Sequence, residues 1–172
     1  MIFGLSRYKV LKKMPKNAIC AEIGVWKGEF CQKILKITKP RMLHLIDPWL
    51  FQDNYPNRLY GGKVAKCQKD MDKIFKSVKG KLERFNNVKI HKGFSDKILS
   101  EFPNGYFDWI YIDGDHSYGC VKKDLEFSFM KVKSDGFIAG DDYNWGKSER
   151  FPVRRAVQDF ITTHQTWWQG LT

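Results

Sequence analysis

At 172 residues the chain has the length of about one domain, since domains commonly run to ~100–200 residues, and residues 1–172 are expected to form a single unit. Hydrophobic side chains make up 42% and aromatic ones 15%, enough for a core, which excludes wholesale disorder. The formal net charge of +11 invites a nucleic-acid or membrane reading, but it is unevenly placed. Residues 1–100 carry 22 basic and 8 acidic side chains, whereas residues 101–172 carry 8 and 11. Cys20, Cys31, Cys67 and Cys120 are scattered with no C-x-x-C pair, which argues against a zinc knuckle or a disulfide framework and suits a reducing compartment. No apolar run is long enough for a signal peptide or for the ~20 residues of a membrane span, so a soluble, cytoplasmic protein is expected.

In chain order, Ala18-Ile19-Cys20-Ala21 followed by Glu22-Ile23-Gly24 reads as a buried strand ending in a turn, and 28–35 as a helix. Residues 42–46 form a second apolar run, stopped by Asp47-Pro48 because proline removes a donor and restricts its predecessor. Residues 49–62 are the one long irregular segment, of the kind that often forms a lid. Over 63–78, Cys67, Met71, Ile74, Phe75 and Val78 share one helical face, and Lys66, Lys69, Lys73 and Lys76 another, which reads as a solvated lysine row. Short strands follow at 88–91, 107–112 and 137–139. Helices follow at 118–130 and at 153–163, the last opened by Pro152 and striped with Val153, Ala156, Val157, Phe160 and Ile161. Strands alternating with helices predict an α/β fold: a Rossmann-like, doubly wound, mainly parallel sheet with helices on both faces.

Ligands of such sheets bind beyond the carboxyl ends of the strands. After the first strand stands Glu22-x-Gly24-x-x-x-Gly28, whose glycines permit close backbone approach to a ligand, while its acid suits a cationic group rather than a phosphate. After the second stands Asp47, placed to accept two hydrogen bonds from a ribose diol, or simply a turn carboxylate before proline. After the third comes Gly93-Phe94-Ser95-Asp96, where Ser95 can cap a helix or reach an adenine edge. The acidic exception resolves into Asp113-Gly114-Asp115-His116 and Gly140-Asp141-Asp142, at the ends of consecutive strands. If Asp113, Asp141 and Asp142 converge, their repulsion calls for protonation or a bound cation. Oxygen-only ligation favours Mg²⁺, Mn²⁺ or Ca²⁺ over zinc. His116, between these acids, is the candidate general base.

Taken together, the ordered series Glu22-x-Gly24-x-x-x-Gly28, Leu45-Ile46-Asp47, Gly93-Phe94-Ser95, Tyr111 to Tyr118 and Gly136 to Tyr143 resembles class I S-adenosylmethionine-dependent methyltransferases. Within that class it looks most like the O-methyltransferases of the macrocin, caffeoyl-CoA and catechol type. The resemblance implies S-adenosylmethionine as cofactor, with Glu22, Gly24 and Gly28 lining its methionine portion, Asp47 on the ribose hydroxyls, Ser95 by the adenine, and Asp113 beside the site. It implies a divalent cation, Mg²⁺ first, on Asp113, Asp141 and Asp142, with in-line methyl transfer to a hydroxyl of a small acceptor such as a sugar or natural product. Catechol-type relatives place a lysine where this chain has His116.

Base methyltransferases place an Asn/Asp-Pro-Pro-aromatic motif after the fourth strand. The turn here differs, so nucleic acid is not expected as the acceptor. The other alternative is a cofactor-binding module of the same fold without turnover. The family closes its sheet with a C-terminal hairpin, for which residues 164–172 leave room for at most one strand. A short or incomplete hairpin would leave an edge carrying Trp167 and Trp168, which favours a homo-oligomer.

Overall fold

A computed structural model describes residues 1–146 and 151–164. Its strands are β1 (Ile19–Ile23), β2 (Met42–Asp47), β3 (Val88–Lys92), β4 (Phe107–Ile112) and β5 (Val132–Gly140), all parallel and in the order β3-β2-β1-β4-β5. The helices among the described residues are α1 (Arg7–Lys13), α2 (Glu29–Thr38), α3 (Gln68–Leu82), α4 (Ser95–Ser100), α5 (Tyr118–Lys131) and α6 (Pro152–Thr163). The expected Rossmann-like parallel sheet is present, and the chain reverses its winding between β1 and β4, where such sheets open a crevice.

The period of two within each strand divides the core. Cys20, Leu43, Leu45, Trp109 and Tyr111 face α1, α2 and α3, meeting Leu11, Phe30, Ile34, Met71 and Val78. Ala21, Ile23, Ile46, Ile110 and Ile112 face α4, α5 and α6, meeting Leu99, Leu125, Val157 and Phe160. Lys9, Lys12, Lys33, Lys36, Lys69, Lys73 and Lys76 are exposed on the first helical layer, so much of the basic surplus lies on one side of the sheet. No helix among the described residues is long and apolar enough to cross a membrane.

Several local expectations shift. The helix expected over 63–78 begins only at Gln68, because Gly62 (φ 143°) breaks the spiral and Leu59–Lys63 forms a π-type turn instead. Cys67 becomes the N-cap of α3 and is exposed rather than buried. Ile161 is likewise 38% exposed, outside the buried stripe of α6. β5 is longer than its apolar centre, since it starts at Val132 directly after α5 and shifts register against β4 between Phe107 and Trp109.

The N-terminus contributes two elements that no sequence pattern announced. Ile2 forms a parallel bridge to Ala139, its amide donating to the Ile138 carbonyl at 2.9 Å, so this residue covers part of the outer edge of β5. Beyond it, α1 buries Val10 and Leu11. Trp167 and Trp168, and with them any closing hairpin, lie outside the described residues.

Candidate functional site

The carboxyl ends of the strands are locked to one another by backbone hydrogen bonds just past each strand. The Gly24 amide donates to the Ile46 carbonyl at 2.9 Å, Asp113 to Ile23 at 2.8 Å, Asp141 to Ile112 at 3.1 Å and Gly93 to Asp47 at 3.0 Å. These bonds bring Glu22, Gly24, Asp47, Asp113, Asp141 and Asp142 to one rim. Gly24 sits at φ +86°, and a Cβ there would lie 2.1 Å from the Asp113 carbonyl oxygen. Only glycine therefore lets the first turn pass this close to the end of β4. Gly28, at φ +72°, is the left-handed N-cap of α2.

Glu22 is 1% exposed, and among the described residues neither carboxyl oxygen has a hydrogen-bond partner. Burial pushes this carboxyl well above its ordinary range, Asp113 and Asp47 push it further, and Arg7 opposes them. The folded chain therefore holds a proton that the unfolded chain releases above the ordinary value of 4.5. With the folded pKa raised, its contribution to stability is greatest below about 4.5 and falls as pH rises toward the folded value. Glu22→Gln is expected to have the higher Tm at pH 8 and to converge on the wild type near pH 4 in differential scanning calorimetry. Parallel curves for the two proteins would refute this account.

Asp47 is 1% exposed and both its oxygens are engaged. Its Oδ2 accepts the amides of Val25 and Trp26, each at 2.9 Å, and the Tyr60 hydroxyl at 2.6 Å. Its Oδ1 accepts the Trp49 amide at 2.7 Å. Burial raises the Asp47 carboxyl from its ordinary range while these hydrogen bonds, Tyr60 foremost, pull it down. Asp47 thus binds the glycine turn to the end of β2.

At the end of β4, Arg7 of α1 bridges two acids. Its Nη2 lies 2.8 Å from Asp113 Oδ2, and its Nε donates to Asp141. His116 Nε2 lies 3.6 Å from Asp113 Oδ1 and 3.0 Å from Asp142 Oδ2, and its ring lies 5.4 Å from that of Trp145. Burial raises Asp113 from its ordinary range, with His116 and Arg7 opposing. Asp113, His116 and Asp142 can each present one ligand atom, all within 4.8 Å of one another. The three expected oxygen donors do share one rim, but Asp141 is paired with Arg7, and it is His116 that joins Asp113 and Asp142.

Ser95 is the first residue of α4, not its cap, and its hydroxyl donates to Asp124. Asp124, 5% exposed on α5, is pushed up by burial to about 6. A cavity of about 340 Å³ opens beside the acids, lined by Gly4, Leu5, Asp142, Tyr143, Asn144 and Trp145 among others. The sequence offers the loop aromatics Trp49, Tyr55, Tyr60, Tyr143 and Trp145 to an acceptor pocket. Of these, Trp49 is wholly buried with its indole N–H donating to the Trp26 carbonyl at 2.9 Å, so it anchors the loop instead of lining this cavity, whereas Tyr143 and Trp145 line it. Arg7, Arg58 and Asp124 are rim residues that the sequence did not single out, and Tyr60, which the sequence offers to the acceptor pocket, donates to Asp47 instead. His44 and His91 pair at 2.9 Å against Phe102, with His44 pushed down by burial to about 4.

Residues 21–143 match the family described as a methyltransferase domain. An uncharacterized protein of Acanthamoeba polyphaga mimivirus is 37% identical over 65 residues, covering 36% of this chain and 29% of that protein. Among solved structures, the O-methyltransferase NovP superposes with a TM-score of 0.65 at 17% identity over 92% of this chain and 72% of that one. A precorrin 8w decarboxylase from Methanobacterium thermoautotrophicum superposes with a TM-score of 0.52 at 18% identity, over 77% of this chain and 59% of that one. At these identities the structural likenesses show the fold alone.

Proposed function

The chain belongs to the methyltransferase domain family, and from that premise we propose that it transfers a methyl group from S-adenosylmethionine to a hydroxyl of a small acceptor, a sugar or another hydroxylated natural product. The observation that carries this reading is the buried, unpartnered Glu22 carboxyl between Asp47 and Asp113 at the rim of β1, β2 and β4. An acid in that position fits the ammonium end of the cofactor, because a cationic partner would repay the desolvation that now keeps it protonated. Asp47 would take the ribose hydroxyls, the Gly24 and Gly28 backbone the methionine portion, and Ser95 with Asp124 the adenine end.

The acceptor would enter the cavity beside Asp141 and Asp142, where Trp145 offers a flat apolar face and Asp142 a polar group, with the His116 ring packed next to Trp145. His116 is the group proposed to take the acceptor proton, with Asp113 and Asp142 stabilising the imidazolium so formed. Because its Nε2 is buried against Asp142 at 3.0 Å, the ring has to turn to present a nitrogen to the acceptor. The rigid rim aligns acceptor oxygen and methyl group, which supplies much of the rate. The donor set Asp113, His116 and Asp142 also fits a divalent cation. With an imidazole in the set, oxygen-only ligation no longer selects Mg²⁺, so Mg²⁺ and Mn²⁺ are both to be tested. An ion held there would supply Lewis acidity toward the acceptor hydroxyl in place of His116 as base. Asp141 would join that set only if Arg7 released it.

The test is calorimetry with S-adenosylhomocysteine, with and without Mg²⁺ or Mn²⁺, followed by transfer of labelled methyl groups to a panel of sugars and phenols. Micromolar binding and an O-methylated product are expected. No binding at millimolar cofactor would refute the proposal, and binding without any product would favour a non-catalytic cofactor-binding module.

A further inference from the structure

The long loop after β2 does not stand open. It crosses the rim and is fastened at both ends of the crevice. At one end Tyr60 donates its hydroxyl to Asp47 Oδ2 at 2.6 Å and packs its ring 4.7 Å from that of Trp26. At the other, Arg58 forms an ion pair with Asp115, just beyond Asp113.

The loop is internally ordered. The Gln52 amide donates to the Tyr60 carbonyl at 3.0 Å, Lys63 to Arg58 at 3.0 Å and Ala65 to Leu59 at 3.1 Å. Gly61 packs so tightly that a Cβ would lie 2.1 Å from the Tyr55 carbonyl oxygen. That packing holds the neighbouring Tyr60 in one place. At the base, Gln68 accepts the Phe51 amide at 2.9 Å and donates to the Trp49 carbonyl at 3.0 Å.

An ionised carboxylate has about four acceptor positions. Asp47 Oδ2 takes three donors, Val25, Trp26 and Tyr60, while Oδ1 takes Trp49 alone. The donors from Val25, Trp26 and Trp49 are backbone amides that build the rim, so they cannot leave without unmaking it. Tyr60 is the one donor that a loop movement can withdraw. A ribose diol needs one position on each oxygen: Oδ1, which takes only the Trp49 amide, has one open, and the place on Oδ2 is the one Tyr60 holds.

We propose that Tyr60 is a built-in competitor for the ribose seat: cofactor binding exchanges the Tyr60 phenol for a ribose hydroxyl on Asp47 Oδ2 and frees the 51–65 loop from the rim. The inference rests on the ribose role of Asp47 proposed above. It makes Tyr60 a determinant of cofactor affinity although Tyr60 need not touch the bound cofactor. Arg58 sets the second fastening, so its loss eases the same exchange.

The experiment titrates S-adenosylhomocysteine into wild type, Tyr60→Phe and Arg58→Ala by calorimetry, with hydrogen exchange of the 51–65 amides measured with and without saturating ligand. Tyr60→Phe keeps the ring that packs on Trp26 and removes only the donor. It is expected to bind about fivefold more tightly, the worth of one hydrogen bond of ~1 kcal/mol, with Arg58→Ala shifting the same way. In the wild type, the Gly61, Lys63 and Ala65 amides should exchange faster when ligand is bound. Unchanged or weaker binding by Tyr60→Phe, or slower exchange of those amides on binding, overturns the proposal while leaving the methyltransferase reading standing. Failure of the wild type and both variants to bind removes the ribose role of Asp47 and this inference together.

Discussion

Asp47→Ala is expected to lower the affinity for S-adenosylhomocysteine by at least about 100-fold. Two ribose hydroxyls on a carboxylate are charge-assisted hydrogen bonds of ~1.5–3 kcal/mol each, and their sum exceeds the ~2.8 kcal/mol of a hundredfold change. The substitution also unmakes part of the rim, since Val25, Trp26, Trp49 and Tyr60 all donate to this one side chain. A lowered Tm therefore accompanies the lost affinity, because buried donors left without an acceptor cost about 1–3 kcal/mol each. Asp47→Asn separates the two effects. Its amide oxygen can still accept one or two of the backbone amides, so the fold should be largely retained, while the carboxylate needed for the diol is gone. Calorimetric titration of both variants, with near-ultraviolet circular dichroism as the check on folding, decides the matter. A folded Asp47→Asn binding within threefold of the wild type would refute the ribose assignment.

Asp113→Asn should leave cofactor affinity within about tenfold and reduce methyl transfer by ~10²–10³-fold, the range expected when a general base and its electrostatic support are impaired. Asp113 is where three parts of the site meet: it faces Arg7 at 2.8 Å and His116 at 3.6 Å, and its position is set by the bond of its amide to the Ile23 carbonyl. An asparagine fits the same space but brings no charge to stabilise a protonated His116, and it withdraws one anion from any cation held with Asp142. The split between binding and turnover is the diagnostic readout. Equal losses in both would show that Asp113 serves the cofactor alone, and unimpaired turnover would exclude it from the chemistry.

The fold was legible because its signals are local. The short apolar runs at 18–23, 42–46 and 107–112 and the 3.6-residue stripes of α3 and α6 each lie within one element, and Asp47-Pro48 marks a strand end by the geometry of proline itself. The rim acids were legible for the same reason, since a parallel sheet places every strand end on one side. What escaped depended on partners distant in the chain. Arg7 lies 134 positions from Asp141 in a seven-residue helix too short to show a periodicity. For Ser95, what no local pattern shows is that its hydroxyl donates to Asp124, 29 positions away on another helix.

The sequence by itself determined the parallel α/β class, the glycine turn after β1 and the gathering of Glu22, Asp47, Asp113, Asp141 and Asp142 at one rim, because strand and turn propensities act over a few residues. Only the tertiary structure decided which acids are partnered and by what: Arg7 between Asp113 and Asp141, His116 near Asp113 and Asp142, Tyr60 on Asp47, and no described partner for Glu22. Those outcomes depend on how the N-terminal segment and the 49–62 loop pack across the strand ends. Such packing is set by the balance of burial against hydrogen bonds over the whole chain, which no local pattern contains.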